Sequence, residues 1–158
     1  MGNQIWLVDA GRFVRGLIRG RQTGEGRIVP HWGLDVSAAR GTPARAVRSG
    51  RVISVRAILG YGNTVAIRHD NNLSTFYAHL QSASVIQGQD VAPGDVVGLI
   101  GRTTAGPDGR VPDWGRNMGV HLHWEVHPRA SPDLRMNVMR LDPVAWLRSN
   151  GVNMIRQN

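Results

Sequence analysis

Apolar and polar positions alternate in short segments closed by Gly, Pro, Asn or Asp, a pattern that predicts strands rather than helices. Candidate strands run over Arg51 to Ile58, Thr64 to His69, Ser74 to Leu80, Asp95 to Ile100 and Val120 to Val126, each rich in Val, Ile or aromatics. The clusters Gly60-Tyr61-Gly62-Asn63 and Asp70-Asn71-Asn72 tolerate positive φ, so the middle strands are expected as antiparallel hairpins. Ala92-Pro93-Gly94 supplies a further tight turn. Only the end reads as helix: Asp142 is placed to cap, Pro143 to open the first turn, Arg148 to sit in the last and Gly151 to follow it, over about two turns.

The chain is therefore read as all-β, an antiparallel sheet core with a short C-terminal helix. Its 158 residues suit one core. Residues 1–30 are expected as an N-terminal extension packing on the domain, 31–150 as the domain and 151–158 as a tail. Gly11 to Pro30 is irregular and basic, and Thr103 to Met118 reads as a long loop.

The same period-2 arithmetic brings chemistry forward. In His31-Trp32-Gly33-Leu34-Asp35-Val36 an extended backbone puts His31, Gly33 and Asp35 on one face, and the Gly leaves room for a third object. In Val120-His121-Leu122-His123-Trp124-Glu125-Val126 it puts His121, His123 and Glu125 on one face, opposite Leu122 and Trp124. His79 shares a face with Tyr77 and Thr75. His69 and His127 read as ordinary surface residues.

Composition narrows what these residues can do. There is no Cys, which excludes thiolate nucleophiles, disulfides and sulfur-bound zinc. All 19 cationic side chains are Arg, which excludes a phosphate-loop lysine, a Schiff base and an SxxK pair. A zinc site must then be built from His and carboxylate, and two His with one acidic oxygen is the usual composition of a hydrolytic site. The formal charge of +8 suits an anionic partner such as nucleic acid, an acidic envelope polymer or a membrane surface, but the Arg are scattered, so no sequence-specific nucleic-acid element is implied. No apolar run reaches the length of a membrane span, and the start carries no recognisable signal peptide.

The strings HWGLD, GYGNTVAIRHD, FYAHL, IQGQDVAPGDVVGLIGRT and HLHWE, in this order, resemble the lysostaphin-like (LytM-type) zinc endopeptidases that cut peptidoglycan. The resemblance implies one zinc ion held by His31, Asp35 and His123. It makes His121 the general base and His79 its assistant, orienting water or stabilising the oxyanion. Glu125 is then expected to hydrogen-bond a ligand imidazole from behind rather than act as base. The resemblance also implies that the sheet core forms a substrate groove, for which Tyr61 and Tyr77 are candidates. The family usually has a short Gly-rich link before the HxH strand, whereas here it extends through Trp114 to Met118; Trp114, Arg110 and Arg116 are expected to contact the wall strand. The implied partner is peptidoglycan in the bacterial envelope. Without a leader, delivery is expected by lysis, by an injection machine or on a virion, with virion or tail proteins as partners. The alternative reading is a non-catalytic wall-binding or structural module of the same fold.

Overall fold

The computed structural model describes residues 4–16, 18–22, 28–106, 110–111, 119–129 and 140–156, with the backbone alone for 18–22 and 28–29. Its strands are β1 (Trp6–Val8), β2 (Arg12–Arg15), β3 (Ile18–Gln22), β4 (Ile28–His31), β5 (Leu34–Ser37), β6 (Pro43–Arg45), β7 (Gly50–Ile58), β8 (Gly62–Arg68), β9 (Ser74–Ala83), β10 (Asp90–Val91), β11 (Val96–Ile100), β12 (His121–His127) and β13 (Asn153–Ile155); the helix is α1 (Pro143–Ser149). One large sheet runs β10-β7-β8-β9-β11-β6-β1-β13, and a branch from β9 continues through β12 and β5 to β2. Strands β3 and β4 form a separate pair.

The antiparallel β7-β8-β9 meander follows from its turns. Gly60 and Gly62 take φ of 78° and 67°, and Asn71 and Asn72 take 60° and 59°, all in the left-handed region that reverses the chain tightly. The five expected strands are present, the third extending to Ala83. Within β9, Ser74–Ala78 pairs with β12 while Leu80–Ala83 pairs with β11. His79 stands at this change of partner with φ of 59°, unusual for a side chain of its size. Such a conformation costs roughly 1–2 kcal/mol. It persists because His79 N–H donates to Tyr61 O at 2.8 Å and Gly101 N–H donates to His79 O at 3.1 Å.

Both faces of this central region are covered. Leu122, Trp124 and Val126 of β12, Leu34 and Val36 of β5 and Tyr77 of β9 are fully buried in the main core. Trp124 packs edge-on to Tyr77 at 6.3 Å and against Trp146 of α1 at 5.9 Å. The opposite face carries the histidines over a smaller cluster of Ile58, Ala66, Phe76 and Ala78. The helix forms as expected: Asp142 accepts from the Val144 and Ala145 N–H groups, a cap contributing about 1 kcal/mol.

The first and last segments join the sheet too. β1 lies between β6 and a parallel β13, pairing Trp6 with Asn153 and Val8 with Ile155. Leu7 and Val8 are wholly buried, which stabilises by roughly 1.5–3 kcal/mol each. The Trp6 ring is contacted by the guanidiniums of Arg45 and Arg156, and Asp9 is bonded to both Trp6 and Arg45. Within the stretch read as a tail, Asn153–Ile155 thus forms a strand.

His69 and His127 correct the surface reading, because both are buried. His69 donates from Nδ1 to Ser49 O and accepts at Nε2 from the Thr75 hydroxyl, both at 2.8 Å. The neutral ring is fully satisfied, and burial lowers its pKa below 6.5. The unfolded chain therefore binds more protons just below pH 6.5, so this contribution to stability is complete above 6.5 and is lost as pH falls. Thermal unfolding of wild type beside His69→Gln from pH 7.5 to 5 is expected to show the steeper loss in wild type. Parallel slopes would remove His69 from the account.

Candidate metal centre

The cluster is assembled from four strands. His123, at the centre of β12, pairs across to Asp35 of β5 on one side and Ala78 of β9 on the other. His31 ends β4; Trp32 and Gly33 then break the chain before β5, so the segment is not one continuous strand as the alternation assumed. The expected third object beside Gly33 is the His123 ring: a Cβ at Gly33 would stand 2.7 Å from its Cε1 and 2.6 Å from Trp124 O. His79 and His121 close the cluster with ring centroids 4.8 Å apart, because His121 N–H bonds Gly101 O at the end of β11.

Around Asp35 Oδ1, His123 Nδ1 lies at 2.8 Å, His31 Nε2 at 3.1 Å and His121 Nε2 at 3.9 Å. The tautomers follow from the far side of each ring, since a backbone carbonyl only accepts. His31 Nδ1–H donates to Gly16 O at 2.8 Å, which leaves a lone pair on Nε2 aimed at the carboxylate oxygen. His31 Nε2 is buried with no hydrogen-bond partner; the other such side-chain atom among the described residues is Trp124 Nε1 in the core. Lone pairs on His31 Nε2 and Asp35 Oδ1 facing each other at 3.1 Å repel unless a cation lies between them. One ligand atom each from His31, Asp35 and His123 lies within 4.8 Å of the others, so the three could hold a metal ion.

His79 and His121 present a different chemistry. Their Nδ1–H groups donate to Thr103 O at 2.9 Å and Gly119 O at 2.8 Å, so each turns an unprotonated Nε2 inward. Burial, and then the neighbouring rings of His121 and His123, lower the His79 pKa to about 3. Burial lowers that of His121 as well, against the opposing bond to Gly119 and the charge of Asp35. Both are neutral acceptors. Burial would raise the Asp35 pKa, but the bond from His123 and the charge of that ring more than reverse it and keep the carboxylate ionised.

Glu125 stands behind His123, fully buried. Its Oε1 accepts from His123 Nε2–H at 2.9 Å and from the Tyr61 hydroxyl at 3.3 Å; its Oε2 accepts from His127 Nε2–H at 2.7 Å and Arg140 Nε–H at 2.8 Å. Burial raises the Glu125 pKa, but His123, His127 and Arg140 hold it well below the usual range. Burial opposes the charged form of His123, yet Asp35 and Glu125 raise its pKa to about 9. Positive charge is thus favoured where the candidate ligands meet.

Tyr61 packs beneath this cluster, 6.4 Å from His79 and 5.6 Å from His123 between ring centroids. Tyr77 does not line a groove: it is fully buried against Trp124 and its hydroxyl donates to Arg45 O. Trp114 and Arg116 lie outside the described residues, and Arg110 is exposed with its carbonyl accepting from Gly106 N–H. The open side of the cluster is a cleft of about 250 Å³, with Arg12, Val14 and Arg15 on one wall and Val120 and His121 on the other. The sequence reading missed Arg15, Gly16, His127 and Arg140 as contacts to this site. Of these only His127 carried a signal, standing two residues past Glu125 on the same strand face.

The profile of Peptidase family M23 matches residues 29–135. The peptidoglycan DD-endopeptidase ShyB of Vibrio cholerae is 36% identical over 121 residues, 76% of this chain and 25% of that protein. A zinc-containing peptidase from Vibrio cholerae superposes with a TM-score of 0.68 at 29% identity, covering 88% of this chain and 38% of the other. Lysostaphin from Staphylococcus simulans superposes with a TM-score of 0.69 at 22% identity, covering 90% and 52%. The chain spans about a fifth to two fifths of the length of the first curated relatives it matches.

Proposed function

This chain belongs to peptidase family M23, and from that premise we propose that it is a zinc endopeptidase hydrolysing cross-links or stem peptides of bacterial peptidoglycan. The observation that carries the reading is the pair of neutral imidazoles, His121 and His79, turning unprotonated Nε2 atoms toward a three-residue metal-ligand set. Held by His31, Asp35 and His123, zinc supplies Lewis acidity that polarises a peptide carbonyl and acidifies water. The name of ShyB supports the wall as substrate, and the charge of +8 favours approach to anionic polymers.

The protein's own residues move the proton. His121 Nε2 takes one from the attacking water as its oxygen bonds the carbonyl carbon, and returns it to the leaving nitrogen as the C–N bond breaks. His79 Nε2 accepts the water's other hydrogen bond. Stabilising an oxyanion would need a donor there, and the His79 proton is committed to Thr103 O, so water orientation is the role its tautomer fits. Glu125 holds the His123 Nε2 proton, so the proton on Nδ1, shared with Asp35, is the one that a bound zinc ion would displace.

Mass spectrometry of fragments released from purified peptidoglycan, with and without chelator, tests the proposal. New peptide termini that disappear with chelator and return with added zinc are expected, and the termini name the bond. No release from several wall chemotypes by zinc-loaded protein would favour the non-catalytic module. We also propose delivery by lysis, by an injection machine or on a virion: detection in purified virions would support carriage, and detection only in lysing cells would support lysis.

A further inference from the structure

Two of the three candidate ligands are held from a strand outside the family match. Arg15, at the end of β2, donates from Nε to Asp35 Oδ2 at 2.6 Å, and the next residue offers Gly16 O to His31 Nδ1–H at 2.8 Å. The match begins at residue 29, and no periodicity marks 12–16 as part of a site. β2 is an edge strand paired with β5, with Phe13 and Val14 about half exposed. Little apolar burial fixes it in place beyond its ladder with β5, and its contacts to Asp35 and His31 add to that attachment.

We propose that β2 is a working part of the metal centre: Arg15 and Gly16 are positioning residues, and zinc affinity is coupled to docking of this strand. The proposal rests on the reading that His31, Asp35 and His123 hold zinc. With Oδ2 engaged, the Asp35 carboxylate cannot turn about its last torsion and offers Oδ1 alone. With Nδ1–H engaged, His31 keeps the tautomer that offers Nε2. Contacts of this kind behind a ligand typically change metal affinity 10–100-fold. Because linkage is reciprocal, zinc must favour the docked strand by the same factor that docking favours zinc.

The sign of the effect separates positioning from charge. A guanidinium beside a dication repels it and draws electron density from Asp35, so on electrostatics alone Arg15→Ala would bind zinc more tightly. Positioning requires the opposite. Competition with a chromophoric chelator, on the full chain, is expected to give 10–100-fold weaker zinc binding for Arg15→Ala. Arg15→Lys, which keeps the charge but loses the planar fork, should fall between. Arg12→Ala, on the same cleft wall without contact to a ligand, should stay within about twofold of wild type. Zinc should also slow hydrogen exchange of the β2 amides in wild type, and less so in Arg15→Lys, a readout that remains should Arg15→Ala fold poorly. Equal or tighter binding by Arg15→Ala, an equal loss in Arg12→Ala, or β2 exchange indifferent to zinc would each overturn the proposal. Undiminished binding by His31→Ala would instead overturn the ligand set beneath it.

Discussion

Replacing His121 with Ala is expected to lower kcat about 10²–10⁴-fold while zinc stays bound at wild-type stoichiometry, the usual span for a lost general base. That is about 3–5 kcal/mol of transition-state stabilisation. The separation is expected because His121 Nε2 lies 3.9 Å from Asp35 Oδ1, beyond the 2.8 and 3.1 Å of the two candidate ligand nitrogens. His79→Ala should cost less, since it orients water without taking the proton, and the double variant should fall short of the product of the two losses because both rings act on one molecule. The lowered pKa of His121 adds a pH signature: its basic form persists below 6.5, so the acid limb of kcat/KM should lie below the ordinary imidazole range. Retention of more than about a tenth of wild-type kcat by zinc-loaded His121→Ala would remove it from the base role.

Replacing Glu125 with Ala is expected to be the most destabilising single change around the site, by about 3–5 kcal/mol. Its carboxylate is fully buried and accepts from Tyr61, His123, His127 and Arg140. Removing it takes a buried carboxylate from the Arg140 guanidinium, which also covers the Trp32 ring at 5.1 Å, and takes the acceptor from His127 Nε2. At about 2–4 °C per kcal/mol for a domain of this size, the drop in Tm is roughly 6–20 °C. Glu125→Gln keeps the shape but sets an amide N–H against other donors, so it should fall between. Zinc binding should weaken in Glu125→Ala, which removes the acceptor of the His123 Nε2 proton, and less in Glu125→Gln, whose amide oxygen can still accept it. Calorimetry with and without saturating zinc checks this, and a Tm change under about 3 °C for Glu125→Ala would show the network to be dispensable.

How far the site could be read from sequence depended on backbone regularity. β12 is an uninterrupted strand, so alternation put His121, His123 and Glu125 on one face, and one more step would have reached His127. Beside Pro128 that position reads as surface from sequence, whereas β12 carries His127 through to burial. Asp35 reached its place despite a wrong local premise: the break at Trp32-Gly33 turns His31 toward Asp35 from a different strand, and only the need for space at Gly33 was visible beforehand. Arg15 and Arg140 were invisible because they come from aperiodic segments, where pairing depends on tertiary placement rather than spacing. The hairpins were legible from their turn residues. Strands β1 and β13, three residues each, are too short to show a period and owe their order to pairing with each other.

That pairing has an architectural consequence. Because β1 and β13 are neighbours, the polypeptide comes into the domain and leaves it along a single edge, clasped by Trp6 between two guanidiniums. A unit threaded this way behaves as a cassette: flanking segments can be lengthened, exchanged or joined to other modules at that edge while the histidine face stays clear.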